Sequence, residues 1–310
     1  MKFLKPRFWE EKNSFLSLIL FPISLFFDFL ISLKRKYTKQ IKFDLNIICV
    51  GNIYIGGTGK TPLSILIGKE LIKNGKKTAI IRKYYKNHFD EHKLIAENFK
   101  HLILKNDRTN AINFAKSEGF DTVILDDGFQ DYKIKKKINI VCFNQSQKVG
   151  NGLVIPAGPL RENLSSLKDV QIVVINGEKD KNFEQKILKI NNKMDIFYSH
   201  YSPVEIDKFR NKRLLAVAGI GNPENFFRLL KRNNLNLEKR FIFPDHYKFS
   251  ENEISKIIKY ADSKNLNIIM TEKDYFKVKH FNLNKIDFLK VDLVLEQKEK
   301  FISRILTLYD

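Results

Sequence analysis

Apolar positions in this chain come in short runs separated by stretches of helical spacing. The runs at 46–50, 78–81, 102–104, 122–125, 138–143 and 171–175 predict strands. The stretch 61–74 predicts a helix, with Pro62 in its first turn and Gly75 just past its end. A second series begins after residue 200, with strands at 213–218, 241–243 and 267–270 and helices at 222–233 and 251–264. Brief apolar strands alternating with helices are the signature of parallel sheets with helices on their faces. The stretch 176–201 is polar and lysine-rich, turns β-like at 196–198, and reads as a linker. No internal repeat appears. The expected architecture is two α/β domains with a cleft between them.

The amino terminus breaks this rhythm. From Phe15 to Leu33 the chain is largely apolar and is interrupted by only one charge, Asp28, and by Pro22. As a helix it spans about 28 Å, near the hydrocarbon thickness of a bilayer. Lys2, Lys5, Arg7 and Lys12 precede it, and Lys34, Arg35 and Lys36 follow. No small-residue cleavage site follows, which argues against a signal peptide. Positive charge at both ends sets no orientation, so a span and a helix lying in the interface both fit. The alternative is an amphipathic helix packed on the folded core.

Composition adds one departure from the ordinary. There are 55 Lys and Arg against 35 Asp and Glu, a formal charge of +20. Such an excess suits an anionic partner: nucleic acid, lipid headgroups or a phosphorylated substrate. A lysine-rich genome would produce the same excess. Cys49 and Cys142 both sit in strand-like apolar runs and read as buried thiols, with no disulfide framework or Cys-rich metal site.

Candidate chemistry starts at Gly56-Gly57-Thr58-Gly59-Lys60-Thr61, directly after the first predicted strand. Glycines let backbone N–H groups converge on a phosphate, the lysine reaches the outer phosphates, and the threonine hydroxyl ligates magnesium. The general pattern expects glycine at position 54, where Tyr54 stands. Asp126 and Asp127 close the strand at 122–125, at the sheet edge where such folds bind ligands. If extended geometry continues, the two carboxylates point to opposite sides, one to serve a metal and one to orient a loop. Arg161 ends the Gly/Pro-rich loop 151–162 and is placed to grip a phosphoryl group, with Arg108 and Arg82 as weaker versions of the same idea. His246 beside Asp245 reads as a base, a substrate contact or a helix-entry residue.

Taken in order, GNIYIGGTGKTP (51–62), LDDGFQ (125–130), NGLVIPAGPLRE (151–162), AGIGNPENFF (218–227), FPDHY (243–247) and TEKD (271–274) resemble the tetraacyldisaccharide 4'-kinase family. The resemblance covers almost the whole chain and accounts for Tyr54, since the family loop has the same GN-xxx-GG-x-GKT form. It implies two α/β/α domains with a P-loop NTPase-like parallel sheet in the first, joined by a two-stranded linker, plus an N-terminal membrane-associated helix. The expected ranges are 1–38 for the helical segment, 39–200 for the kinase domain and 201–310 for the smaller domain. The carboxyl-terminal helix is a candidate to return to the first domain.

The implied activity is transfer of phosphate from ATP, with Mg2+, to the 4'-hydroxyl of a lipid A disaccharide 1-phosphate. The implied place is the cytoplasmic face of the bacterial inner membrane, bound peripherally or monotopically, with no nucleic-acid partner. By motif, the nucleotide falls to Gly56, Gly57, Thr58, Gly59, Lys60 and Thr61, and magnesium to Thr61 and Asp126. Catalysis falls to Lys60, Asp90, Asp127 and His246, and contacts to substrate or phosphate to Arg161, Arg108 and Glu91. Asp90 and His246 form the family's dyad from different expected domains, so domain closure is expected to assemble it. Three positions depart from the family. Ser-Arg-Gly-Tyr-Gly becomes Ile81-Arg82-Lys83-Tyr84-Tyr85, Gly-Asp-Glu-Pro becomes Phe89-Asp90-Glu91-His92, and Asp131 replaces the histidine after the Asp-Asp run. A phosphate-loop regulator or metal chaperone, and a basic membrane or nucleic-acid binder, are the competing classes.

Overall fold

A computed structural model describes residues 5–86, 88–281 and 285–309. Lys2, counted above among the flanking basic residues, lies outside them. The described chain divides into two compact units, one of residues 5–84, 99–200 and 293–309 and the other of residues 85–98 and 201–292. Two of the boundaries fall inside strands, at 200/201 and 292/293. The segment Tyr85–Asn98, inside the range expected for the first domain, clusters with the second unit.

The larger unit is built on parallel strands β1 (Asn46–Gly51), β2 (Thr78–Lys83), β3 (Leu102–Lys105), β4 (Thr122–Asp126), β5 (Ile138–Asn144), β6 (Ile172–Asn176) and β7 (Asp195–Pro203). Their order is β7-β6-β5-β1-β4-β2-β3, with β12 (Val291–Leu295) beyond β7. β1 and β4 are buried along nearly their whole length, as expected of strands covered on both faces. The stretch expected as a linker instead forms α5 (Lys181–Leu188) and β7. Its alternation of polar and apolar residues was masked by lysines on the exposed face, while Phe183, Ile187, Phe197 and Tyr198 point into the core.

Helix α2 (Lys60–Lys73) starts after Gly59 in a left-handed conformation, φ 92°, and Gly75 beyond its end has φ 76°, the pattern the sequence predicts. Gly51 turns the chain out of β1 where a Cβ would come within 2.4 Å of the Phe129 Cβ. Helix α4 (Arg108–Ser117) is capped by the Asp107 side chain on the Thr109 N–H. At the carboxyl end α9 (Lys298–Thr307) packs against α2, where Lys298 approaches Glu70 at 3.5 Å.

Helix α1 (Phe15–Tyr37) runs through Pro22 and buries only Ser17 and Ser24. Phe15, Leu18, Phe26 and Phe29 stand 58–75% exposed. Among the described residues it is the one helix long and apolar enough to cross a membrane.

The smaller unit carries a parallel sheet ordered β11-β10-β8-β9: β8 (Arg213–Ala218), β9 (Asn236–Ile242), β10 (Asn267–Thr271) and β11 (Ile286–Leu289). Odd positions Leu215 and Val217 of β8 join one apolar cluster with Ile254 and Ile257 of α7 (Glu251–Lys264). Even positions Leu214, Ala216 and Ala218 join another with Phe226 and Phe227 of α6 (Pro223–Arg232). β9 begins five residues earlier than its predicted strand because its outward face is polar, from Asn236 to Arg240. Helix α3 (Phe89–Asn98) packs on α8 (Glu272–Val278) in this unit.

Candidate active site

In the larger unit the register of the sheet sets the geometry. Val50, at the end of β1, pairs with Asp126, and Arg82 of β2 pairs with Asp126 on its other side. Asp126, fully buried, therefore sits under the glycine-rich loop. Its Oδ2 accepts from the Thr61 hydroxyl at 3.0 Å and from Arg82, and its Oδ1 accepts from Ser64 at 2.9 Å.

Asp127 does not continue the strand. Its φ of 54° turns the chain, so the expected opposite-side placement gives way to a sharp bend. The bend brings its carboxylate to Lys60 at 3.5 Å and to the Arg161 guanidinium at 2.9 Å. Burial alone would raise the Asp127 carboxyl, but Lys60, Arg161, Arg82 and Arg108 hold it well below the usual carboxylate range. Burial lowers the Lys60 ammonium, and Asp127 opposes that shift.

The loop itself is held by a residue the sequence reasoning missed. Asn52 Nδ2 donates to the carbonyls of Tyr54 (2.5 Å) and Gly56 (3.3 Å) and to the Thr58 hydroxyl (3.1 Å). Gly56 adopts φ 118°, a value open to glycine, while Gly57 lies next to it before buried Thr58. Tyr54 is wholly buried, with its hydroxyl donating to Glu10 at 2.6 Å. Arg108 donates to the carbonyls of Asp126 (3.2 Å) and Asp127 (2.8 Å) and reaches Asp131 at 3.5 Å. It holds the aspartate turn, and Asp131 stands as its counter-ion. Gln130 bridges the Asn52 carbonyl and the buried Glu162, whose carboxyl burial pushes up.

The donors fit magnesium: a hydroxyl and a carboxylate adjacent at 3.0 Å, both hard oxygen ligands, beside a lysine and an arginine able to share phosphate charge.

In the smaller unit Asp90 opens α3 and is 2% exposed. His246, at φ 56° in the turn 243–247, places Nδ1 3.1 and 3.2 Å from the two Asp90 oxygens. Both residues lie in one compact unit, so their contact needs no closure of two domains. The reason is local. α3 leaves the first sheet after β2 and is gathered by α8, whose Lys273 and Lys277, one turn apart, reach Asp90 at 3.8 and 3.5 Å. Lys277 is itself held by buried Asp274 at 2.8 Å and the Gly219 carbonyl at 3.0 Å.

Burial would raise the Asp90 carboxyl, yet the His246 hydrogen bond and the two lysines hold it well below its ordinary range. Being ionised it only accepts, so Nδ1 of His246 carries the hydrogen. Glu91 takes Lys273 at 2.9 Å and lies 3.4 Å from His88, whose ring stacks on His246 at 4.3 Å. The spacing of Lys273 and Lys277 on one helix face was the signal that would have exposed this cluster in the sequence.

Comparison with known proteins sharpens the picture. The profile of the Tetraacyldisaccharide-1-P 4'-kinase family matches residues 16–310. The tetraacyldisaccharide 4'-kinase of Pelagibacter ubique (strain HTCC1062) is 40% identical over 315 residues, 99% of either chain. That of Legionella pneumophila (strain Corby) is 32% identical over 318 residues, 95% of this chain and 94% of its own. A crystal structure of LpxK from Aquifex aeolicus in complex with ATP matches with a TM-score of 0.72 at 22% identity, covering 95% of this chain and 100% of that one. At that identity the likeness establishes the fold.

Proposed function

Because the chain belongs to the Tetraacyldisaccharide-1-P 4'-kinase family and is a kinase, we propose that it moves the γ-phosphoryl of ATP to the 4'-hydroxyl of a tetraacylated glucosamine disaccharide 1-phosphate. The observation that carries this reading is the Lys60–Asp127–Arg161 cluster beside the Thr61–Asp126 hydrogen bond, gathered around one glycine-rich loop. Gly56, Gly57, Thr58 and Gly59 present backbone N–H groups to the phosphates, and Lys60 leans from Asp127 onto the outermost one. Arg161 and Arg108 keep the turn and share the charge that builds up on the transferring group. Thr61 and Asp126 would hold Mg2+, which supplies charge neutralisation between the outer phosphates.

In the step itself the bond from phosphorus to the bridging oxygen breaks, ADP departs, and a bond forms to the sugar oxygen. The hydroxyl proton passes to Asp90, which His246 orients through Nδ1–H. Asp90 is a weak base where it sits. Phosphoryl transfer tolerates that, because its loose transition state asks little of the attacking oxygen until late. Glu91 and Lys273 stand beside the acceptor, and Lys273 suits the disaccharide's phosphate.

The apolar outer face of α1 and its basic flanks, Lys12, Lys34 and Lys36, suit an anionic lipid surface, which is where an acylated acceptor resides. The proposed location is the cytoplasmic face of the inner membrane, where ATP is available. The test is transfer of labelled phosphate from ATP to the tetraacylated disaccharide 1-phosphate in mixed micelles. Lys60→Ala is expected to cut turnover by about 10²–10³, and Asp90→Asn by about 10²–10⁴ with ATP binding retained. A native protein that hydrolyses ATP yet never labels the acceptor rejects the reading.

A further inference from the structure

Helix α1 is inverted relative to a helix packed on a core. Its outer face is apolar, and its buried residues are the two serines, Ser17 and Ser24, seven positions apart and so on one face. Ser24 Oγ donates to the Val154 carbonyl at 2.8 Å and accepts from the Ala157 N–H at 2.8 Å. Asn151 Nδ2 donates to Ser17 Oγ at 3.0 Å and to the Ala157 carbonyl at 2.8 Å. The turn preceding α1 joins in. Trp9, 3% exposed, donates from Nε1 to the Pro156 carbonyl at 2.9 Å, and its own carbonyl accepts from the Asn151 N–H at 2.8 Å. Both buried serines of α1 are thus hydrogen-bonded to the loop 151–162.

That loop is also one wall of the phosphate grip. Ile55 N–H donates to the Pro159 carbonyl at 2.9 Å, and Arg161 N–H to the Ile53 carbonyl at 2.7 Å. Between them Tyr54 is bridged to Leu160 and fastened at its hydroxyl to Glu10. Lys5 completes that contact. Four residues beyond Ala157 the Arg161 guanidinium meets Asp127. Hydrogen bonds thus fix the loop at two places, to Ser24 at Val154 and Ala157 and to the entry of the glycine-rich loop at Pro159 and Arg161, with only the few residues 157–161 of the chain between them.

We propose that Ser24 is a positioning residue for nucleotide binding: the polar inner face of α1 is the template on which the loop bearing Arg161 is folded. The helix then has two separable jobs, lipid contact by its outer face and alignment of the phosphate grip by its inner face. The inference rests on reading Arg161 and the glycine-rich loop as the phosphate grip.

Ser24→Ala removes a donor and an acceptor together, takes away the acceptor of the Ala157 N–H and leaves the Val154 carbonyl with the Gly158 N–H at 3.1 Å. The experiment uses the full chain in detergent micelles, which takes membrane docking out of the comparison. ADP affinity is read by calorimetry, whose stoichiometry reports the folded fraction. Ser24→Ala is expected to weaken ADP by about tenfold and raise the KM for ATP similarly with kcat little changed. Ser24→Thr, which keeps the hydroxyl, is expected to restore both, and binding to anionic vesicles is expected to match the native protein in each variant. A purely structural serine would lower thermal stability without moving the ADP affinity of the folded fraction, and that result overturns the proposal. If Ser24→Ala does not fold, Ser17→Ala carries the test by removing the bond from Asn151 to the same inner face of α1. Native-like ADP affinity there overturns the proposal equally. Native protein that fails to bind ADP at all rejects the functional reading instead.

Discussion

Asp90 shows how one buried carboxylate is kept charged. Desolvation opposes ionisation, and His246, Lys273 and Lys277 within 4 Å overcome it. The folded value is depressed below the unfolded one, about 3.9. The ionised group therefore adds stability at every pH above about 4, and that contribution fades as pH falls toward the folded value. Asp90→Asn is expected to cost on the order of 1–3 kcal/mol at pH 7. Urea unfolding at pH 7 and pH 3 checks this, since the gap between native and variant should narrow at pH 3. An equal gap at both would mean that the charge contributes nothing to folding. At Asp126 the buried carboxylate has its hydrogen-bonding capacity met by Thr61, Ser64 and Arg82.

Single helices divide the work. α2 is set by glycine at both ends and presents Lys60 and Thr61 from its first turn. α8 lines up Lys273 and Lys277 one turn apart, and its Asp274 is both a cap partner of Thr271 and the anchor of Lys277. α1 carries its apolar residues outward, so its outer face is available to lipid without rearrangement of the core. Phe26, 60% exposed on that face, is the probe. Phe26→Asp is expected to weaken sedimentation with anionic vesicles by about tenfold or more, since charge in the acyl boundary is costly. Thermal stability in detergent should be unchanged, because the side chain touches no core. Undiminished vesicle binding would mean that this face does not meet lipid. The α1 stretch was legible as an apolar run of bilayer length. That its inward residues would be serines was not, because the run offers no polar stripe wide enough to mark a face.

Across the whole chain a charge of +20 makes attraction to an anionic surface long-ranged only at low salt. The Debye length shrinks from about 10 Å at 0.1 M to about 3 Å at 1 M. Vesicle binding is therefore expected to fall steeply with salt but to level off at a residue owed to the apolar face of α1. Complete release of the native protein at 1 M salt would leave charge alone as the attachment.

The alternation of short apolar strands with helices, the glycine-rich turn after β1 and the paired aspartates at the end of β4 were all readable, because each depends on neighbours a few residues away. Of β7 only the apolar centre at 196–198 was readable, since polar residues fill the rest of the strand. The membership of α3 in the smaller unit was not readable. Its ten residues carry no mark of where they dock, and only packing against α8 decides it. Asp90 and His246 lie 156 positions apart. His246 stood out beside Asp245, and the family resemblance supplied Asp90. Their contact, the left-handed turn at Asp127 and the fastening of Tyr54 to Glu10 required the folded chain, because burial, backbone conformation and long-range pairing are settled by what packs together in three dimensions.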